Sequence, residues 1–326
     1  MIRFFKSLQP ATLILIPFIL LIFWIRIIFH ASPIVDYKTL PVWAAISHIL
    51  NRLPSWSNFI FLLGLISFEA IYFNLMLNRH EVHYKNTFLP AFIFALFVSS
   101  TPALIQFHPV HLINFFLILI IDRAFTLFKN EFPVSALFDC GFITGIASLI
   151  YFPAFVIIPV LFAMLIVLRP FKFKEWLITC IGIFLPYFFI SIYMFWNHEL
   201  IPFWKSYFNY FHGIHPQLMV KYNLKILILA ITIGAFLILS LLKLRANYRK
   251  NIIRTRSYQQ VIFILLIVGI AWLLLSEKIE IIHFAFLLIP VSVFCSYYFV
   301  SAKKGRLLFE YALWGLVAVI IWNHFT

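Results

Sequence analysis

Apolar runs long enough to cross a bilayer recur along the whole chain, beginning with ATLILIPFILLIFWIRIIF at residues 11–29. A crossing helix needs about 18–20 such residues, because the hydrocarbon core is about 30 Å thick and a helix rises about 1.5 Å per residue. Water is absent there, so open backbone groups must be satisfied within each segment, which selects helices. Composition agrees. Of the 326 residues, 64% are hydrophobic and 11% are charged, whereas soluble domains run near half and about a quarter. A β-barrel would show alternating segments of about ten residues instead. The expected fold class is an all-α membrane protein.

Hydropathy and proline punctuation divide the chain into eleven expected spans, at residues 11–29, 57–77, 88–106, 110–126, 134–150, 153–168, 176–195, 223–242, 259–275, 280–299 and 307–323. Pro133 and Pro153 separate the short fifth and sixth. No repeat, soluble domain or low-complexity linker intervenes, so residues 1–326 read as one polytopic domain. The first run has Arg3 and Lys6 before it and Arg26 and His30 after it, with no small-residue cleavage site. It reads as a retained helix.

Basic residues set the orientation, because Lys and Arg accumulate on the cytoplasmic side. With the N-terminus inside, 18 of the 25 fall in inner segments, which predicts an N-in, C-out chain. The net charge of +14 is spread over helix ends in this way, which argues against nucleic acid as a partner. The largest inner cluster, KLRANYRKNIIRTR in the loop 243–258, reads as a topology determinant that also suits anionic lipid. Two outer segments are long, at about 30–56 and 196–222. Residues 41–52 are patterned as a short helix on the membrane surface, with Trp43 and Trp56 as interface anchors. The nine glycines predict few close helix crossings. Cys140, Cys180 and Cys295 are isolated in apolar segments and read as buried hydrophobes.

Few residues can carry chemistry. Two His-x-x-His pairs, HPVH (His108, His111) and HGIH (His212, His215), fall on the outer side with five other histidines. Imidazoles at i and i+3 share a helix face and suit a divalent metal. However, the proline and glycine in these stretches mark turns, so capping of helix ends is the plainer expectation and no metal ligand is assigned. A closed zinc site would need all four rings, with the two outer segments in contact. Glu69 stands alone in mid-span, where an ionisable group signals either function or a specific partner. Asp36 is the only acid of the first outer segment, with Arg26, Lys38 and Arg52 near it in sequence. A carboxylate among cations could act as general base toward a hydroxyl, with the cations holding a phosphate. It also reads as an ordinary loop aspartate.

One stretch has a recognisable shape. In FDCGFITGIASLIYFPAFVIIPVLFAMLIVLRPFKFKEWLITCIGIFLPYFF, a glycine-bearing helix ends in tyrosine and proline. A second span, a basic inner turn and a third span follow. This resembles the central part of GT-C type membrane glycosyltransferases. The N-in threading, the long first outer segment and the acid after the first span are similar to that family too. The resemblance covers residues 1–195, about 60% of the chain. The turn LRPF-x-x-x-EW, Leu168 to Trp176, is similar to one in a family of Bacteroidota inner-membrane proteins. These likenesses imply a bacterial inner membrane location and an inverting transferase using a polyprenyl-phosphate-linked sugar. Asp36 would be the base, and Arg52, His108, His111, Lys205, His212, His215 and Lys221 would hold the substrate. Many members carry an acid at the second outer turn, where this chain has QFHPVH. A divalent metal on His108 or His111 would be a departure from the family pattern. A non-catalytic subunit of an envelope complex, with a membrane protein partner, is the second reading. A transporter built on Glu69 is the third.

Overall fold

The computed structural model describes residue 5 and residues 11–28, 40–83, 85–212, 217–218, 223–273, 278–301 and 306–325. Thirteen α-helices form among them. They are α1 (Ala11–Ile28), α2 (Pro41–Asn51), α3 (Ser55–Arg79), α4 (Leu89–Val98), α5 (Pro109–Phe125), α6 (Val134–Ile150) and α7 (Ile157–Leu168). The chain continues with α8 (Phe173–Trp196), α9 (Leu200–His212), α10 (Leu224–Asn247), α11 (Ile253–Leu273), α12 (Leu288–Val300) and α13 (Arg306–Phe325). Short 3₁₀ turns cover Pro102–Ile105, Phe152–Val156, Tyr248–Lys250 and Ile281–Leu287. Gln217–Leu218 (β1) and Lys278–Ile279 (β2) pair in parallel.

Helix lies on all of the expected spans. Five helical segments are long and apolar enough to cross a membrane: Trp56–Arg79, Phe173–Trp196, Leu224–Lys250, Ile253–Leu273 and Ile281–Val300. The protein is thus helical and multi-pass in character. Several of the others are short because proline restarts them. Proline tolerates the first turn of a helix, where its missing N–H has no partner to lose, and it opens α2, α4 and α5.

Every residue of α4 is buried. A helix apolar on all faces needs neighbours on all faces, and α4 packs against α1, α3 and α12. Around α12 lie α10 and α11, and α13 packs on α10. By contrast α8 and α10 are peripheral: 22% and 11% of their apolar windows are buried. Their outward faces suit acyl chains.

One crossing is closer than the scarcity of glycine predicts. A Cβ on Gly141 would lie 2.3 Å from the Thr179 carbonyl oxygen, and one on Gly145 2.5 Å from that of Ile183. On the facing helix, a Cβ on Gly182 would lie 2.7 Å from the Phe138 oxygen. Helices α6 and α8 therefore meet backbone to backbone, on the G-x-x-x-G spacing of GFITG. Spacing mattered here and abundance did not.

Broken helices free carbonyl groups, and side chains take them up. His111 Nε2–H donates to Leu104 O (3.0 Å), Asn114 to Ala285 O (3.0 Å) and Tyr258 to Phe125 O (2.8 Å). Asn323 donates to Ser100 O (2.7 Å). Arg169 reaches both Leu127 O (3.0 Å) and Asn130 O (2.6 Å), while its fork holds Glu175 at 2.9 and 3.0 Å. This explains the LRPF-x-x-x-EW turn. Arginine and glutamate six positions apart close the turn on itself, and Trp176 stacks on Phe162 at 4.9 Å.

Two expectations need correction. The basic loop 243–258 is mostly helix, since α10 runs to Asn247 and α11 starts at Ile253. The cluster has no glycine or proline, and Leu, Ala, Lys and Arg propagate helix well. Residues 41–52 do carry a helix, α2, but Trp43 is fully buried and stacks on Phe107 at 6.0 Å. It anchors α2 to the bundle, whereas Trp56 is exposed.

Gly141→Ala is expected to lower the thermal midpoint in detergent, with an overpacking penalty of about 1–3 kcal/mol. Gly64→Ala, whose new Cβ meets nothing within 4 Å, should match or slightly exceed the wild type.

Candidate functional site

The bundle carries a polar centre at each end. At the end that holds α2 and α9, the one expected to face outward and called the outer end for that reason, His108 caps α5 and accepts the Val110 N–H on Nδ1 at 3.1 Å. Tyr151 sits at the C-terminus of α6, Trp272 near that of α11, and His283 in the 3₁₀ turn before α12. Glu280 and His283 form a reciprocal cap. The Glu280 side chain accepts the His283 N–H, and His283 Nδ1 accepts the Glu280 N–H at 3.1 Å. With Nδ1 accepting, the neutral ring carries its proton on Nε2. That N–H meets the Tyr151 hydroxyl at 2.9 Å. His108 lies edge-on to His283 at 5.4 Å and to Tyr151 at 5.6 Å, and the Trp272 ring is 5.9 Å from His283. All four rings are buried.

Beside this centre an apolar cleft of about 440 Å³ opens between α10, the 281–287 turn and the 99–105 turn. Leu104, Ile233, Phe284 and Leu287 line it, and Ser100, Thr101 and Asn223 supply its polar atoms. Lys225 follows Asn223 and lies 5.9 Å from the Trp322 ring.

Residues of both expected outer segments join one apolar cluster. Leu40 packs in one cluster with Leu149, Phe152, Tyr187, Phe203 and Tyr207. The Tyr207 hydroxyl donates to Leu149 O at 2.7 Å, and burial pushes its pKa up. The β1–β2 pair ties the later outer segment to the strand just ahead of Glu280.

The expected site residues are distributed unevenly over this frame. Asp36, His215 and Lys221 lie outside the described residues, as does the side chain of His212 at the end of α9. Arg52 and Lys205 are exposed. His108 joins the outer centre, whereas His111 is spent on Leu104, so the HPVH pair divides between two tasks. Sequence reading missed His283, Trp272 and Glu280. The signal available was an acid and a histidine three apart at the start of a span, the spacing of a helix cap. Among the described residues no three His, Cys, Asp or Glu side chains are grouped to hold a metal ion. Cys140 and Cys295 are buried, Cys180 is half-buried, and none is in a disulfide.

At the inner end Asp122 is the hub. It accepts from Tyr72 (2.6 Å), His80 (2.7 Å) and Arg79 (3.1 Å). Here carboxylate and cation are satisfied together, as burial requires. Glu69 contrasts with it. Its side chain is fully buried in α3, and neither carboxyl oxygen has a hydrogen-bond partner among the described residues. It lines none of the three clefts described.

Past Asp122 lie residues 80–83 and 85–88, the second of which Asn74 and Asn78 pin by donating to Thr87 O, each at 3.1 Å. His83 in the first is buried. Its Nε2–H meets Ser296 Oγ at 2.8 Å, and Ser296 passes its own proton to Val293 O at 2.8 Å. Burial holds the His83 pKa down at about 4, against the opposing pull of the Val82 backbone.

No family model, no curated protein and no solved structure matches this chain.

Glu69→Met is expected to raise the thermal midpoint in detergent, because it removes an unpaired buried polar group that costs about 1–3 kcal/mol. A lowered midpoint would mean that Glu69 has a partner in the native protein. His83 sets a pH dependence. Its folded pKa of about 4 lies below the ordinary value of 6.5, so between these values only the unfolded state binds the proton. The stability it contributes is present above about pH 6.5 and is lost as pH falls toward about 4. Thermal melts of wild type and His83→Gln across that window should diverge, with the variant the flatter.

Proposed function

We propose that the chain is a transferase of GT-C-like architecture in a bacterial inner membrane. In this reading it is threaded N-in with eleven spans and takes a sugar from a polyprenyl-phosphate carrier at its outer face. The apolar cleft beside the outer turn carries the argument. It is apolar and edged by Ser100, Thr101 and Asn223, which suits a hydrocarbon chain whose polar head lies at the membrane surface. Lys225, just past that rim in sequence, is a partner for the carrier phosphate. The presence of Leu40, Phe203 and Tyr207 in one apolar cluster supports joint action of the two outer segments. Asp36 is four residues from Leu40 in sequence, a tether of at most about 14 Å. As the base, Asp36 would take the acceptor hydroxyl proton while that oxygen attacks the anomeric carbon and the carrier phosphate leaves with the bonding pair.

A second reading, a non-catalytic subunit of an envelope complex, is favoured by one observation. The outer centre of His108, Tyr151, Trp272 and His283 is sealed, as a structural core would be. The exposed apolar faces of α8 and α10 would then contact the partner as well as lipid. Transport is the weakest reading, because Glu69 is enclosed and lines no described cleft.

The test is deletion of the gene, mass spectrometry of envelope glycans and glycolipids, and complementation. Wild type should restore a lost product, and Asp36→Asn, expressed to the same level, should fall short by about 10²–10⁴ in rate, the worth of a general base. Full rescue by Asp36→Asn removes the base. An unchanged profile, with a stable partner in pull-downs, establishes the second reading.

A further inference from the structure

A cleft of about 460 Å³ opens at the inner end, between residues 81–83 and 85–86 on one side and the α10–α11 junction on the other. Unlike the outer cleft it is polar. Glu81, His83, Lys85 and Asn86 line it from one side, and Lys250, Asn251 and Thr255 from the other.

The charges in this cleft are unequal. Glu81 is its one carboxylate, and Arg254 pairs with it. The Glu81 carbonyl is taken by the Thr255 hydroxyl at 3.1 Å. Lys85 and Lys250 are exposed, and among the described residues neither has a carboxylate within ion-pair distance. Two ammonium groups brought to one cavity without counter-charge repel each other.

Two further features face the same way. Helix α11 begins at Ile253, next to Ile252 in the lining, and has no acid in its first turn. The free N–H groups and positive dipole end of a 21-residue helix thus abut the cleft. His83 is buried, its Nε2–H is spent on Ser296, and Nδ1 has no hydrogen-bond partner among the described residues. The groups around its ring are Glu81 and Lys85 close by in sequence, Lys250 and Arg254 across the cleft, and Ser296 and Tyr297 from α12.

We propose that this cleft binds an anion of the phosphate class, held by Lys85 and Lys250 against the N-terminus of α11, with the neutral His83 ring as part of its wall. Phosphate supplies several acceptor oxygens to lysine and backbone N–H donors at once. The same chemistry is offered by the headgroup of an anionic phospholipid of the inner leaflet and by free phosphate. The site is independent of the outer-face transferase reading, since it shares no residue with it.

Purified full-length protein provides the test, with inorganic phosphate as the first probe and chloride at equal ionic strength as the control. Phosphate should raise the thermal midpoint in detergent beyond chloride. The Lys85→Gln/Lys250→Gln double variant should bind it about tenfold more weakly or worse. Both lysines are exposed, so the variant should fold, and its midpoint without phosphate checks this. A second arm compares nanodiscs of phosphatidylglycerol with nanodiscs of phosphatidylcholine. Stabilisation that needs phosphatidylglycerol, depends on the lysines and is absent with inorganic phosphate assigns the site to a lipid headgroup. Stabilisation by inorganic phosphate assigns it to a soluble anion. If the double variant does not fold, the ¹⁵N shifts of His83 in the wild type decide instead. They should move on phosphate addition and stay fixed with chloride. The proposal is overturned if neither probe acts beyond its control, or if the lysine variant responds as the wild type does.

Discussion

A carbonyl left open in hydrocarbon has no water to turn to, and most of this structure can be traced to that constraint. The chain is broken by proline and by short turns within its apolar length. Each break frees backbone acceptors, and a side chain from elsewhere closes many of them. His111 closes on Leu104, Asn114 on Ala285, Tyr258 on Phe125 and Arg169 on the 127–130 turn. These bonds join elements distant in sequence, so they staple the bundle as well as satisfying its backbone. The buried polar residues of the chain are in large part there for this purpose.

The same rule separates structural from functional candidates. Asp122 is buried among Tyr72, His80 and Arg79, and its charge is fully met. His108 and His283 are buried in a ring cluster whose bonds are largely internal. Groups so placed hold shape. Lys85 and Lys250 are in the opposite situation, with charge gathered at a cavity and, among the described residues, no carboxylate within ion-pair distance of either. Glu69 differs from both, since it is buried without a partner among the described residues. A cost of that kind is retained for a reason that packing does not supply.

The outer end has a consistent arrangement. Residues of two segments far apart in sequence, Leu40, Phe203 and Tyr207, share one apolar cluster, and the β1–β2 pair brings the later segment to the start of the 281–287 turn. An apolar cleft lies on one side of that turn and a sealed polar centre on the other. The transferase reading and the subunit reading differ only in whether that arrangement is used for chemistry.

Several features were legible before any coordinates. The helical class, the apolar stretches on which helices form and the short helix within 41–52 follow from hydropathy and proline. These signals are local, or are imposed by the solvent along each segment. The HPVH pair looked like one motif, yet its two rings serve different neighbours, because a turn aims each ring separately. Only the tertiary structure brought His283 to Tyr151, seated Gly182 between Gly141 and Gly145, buried Trp43, and set Lys85 opposite Lys250. Each of these depends on which helix packs beside which. That choice is made by shape complementarity between faces of nearly uniform hydrophobicity, and apolar residues so alike in character leave no trace of their partners in the sequence.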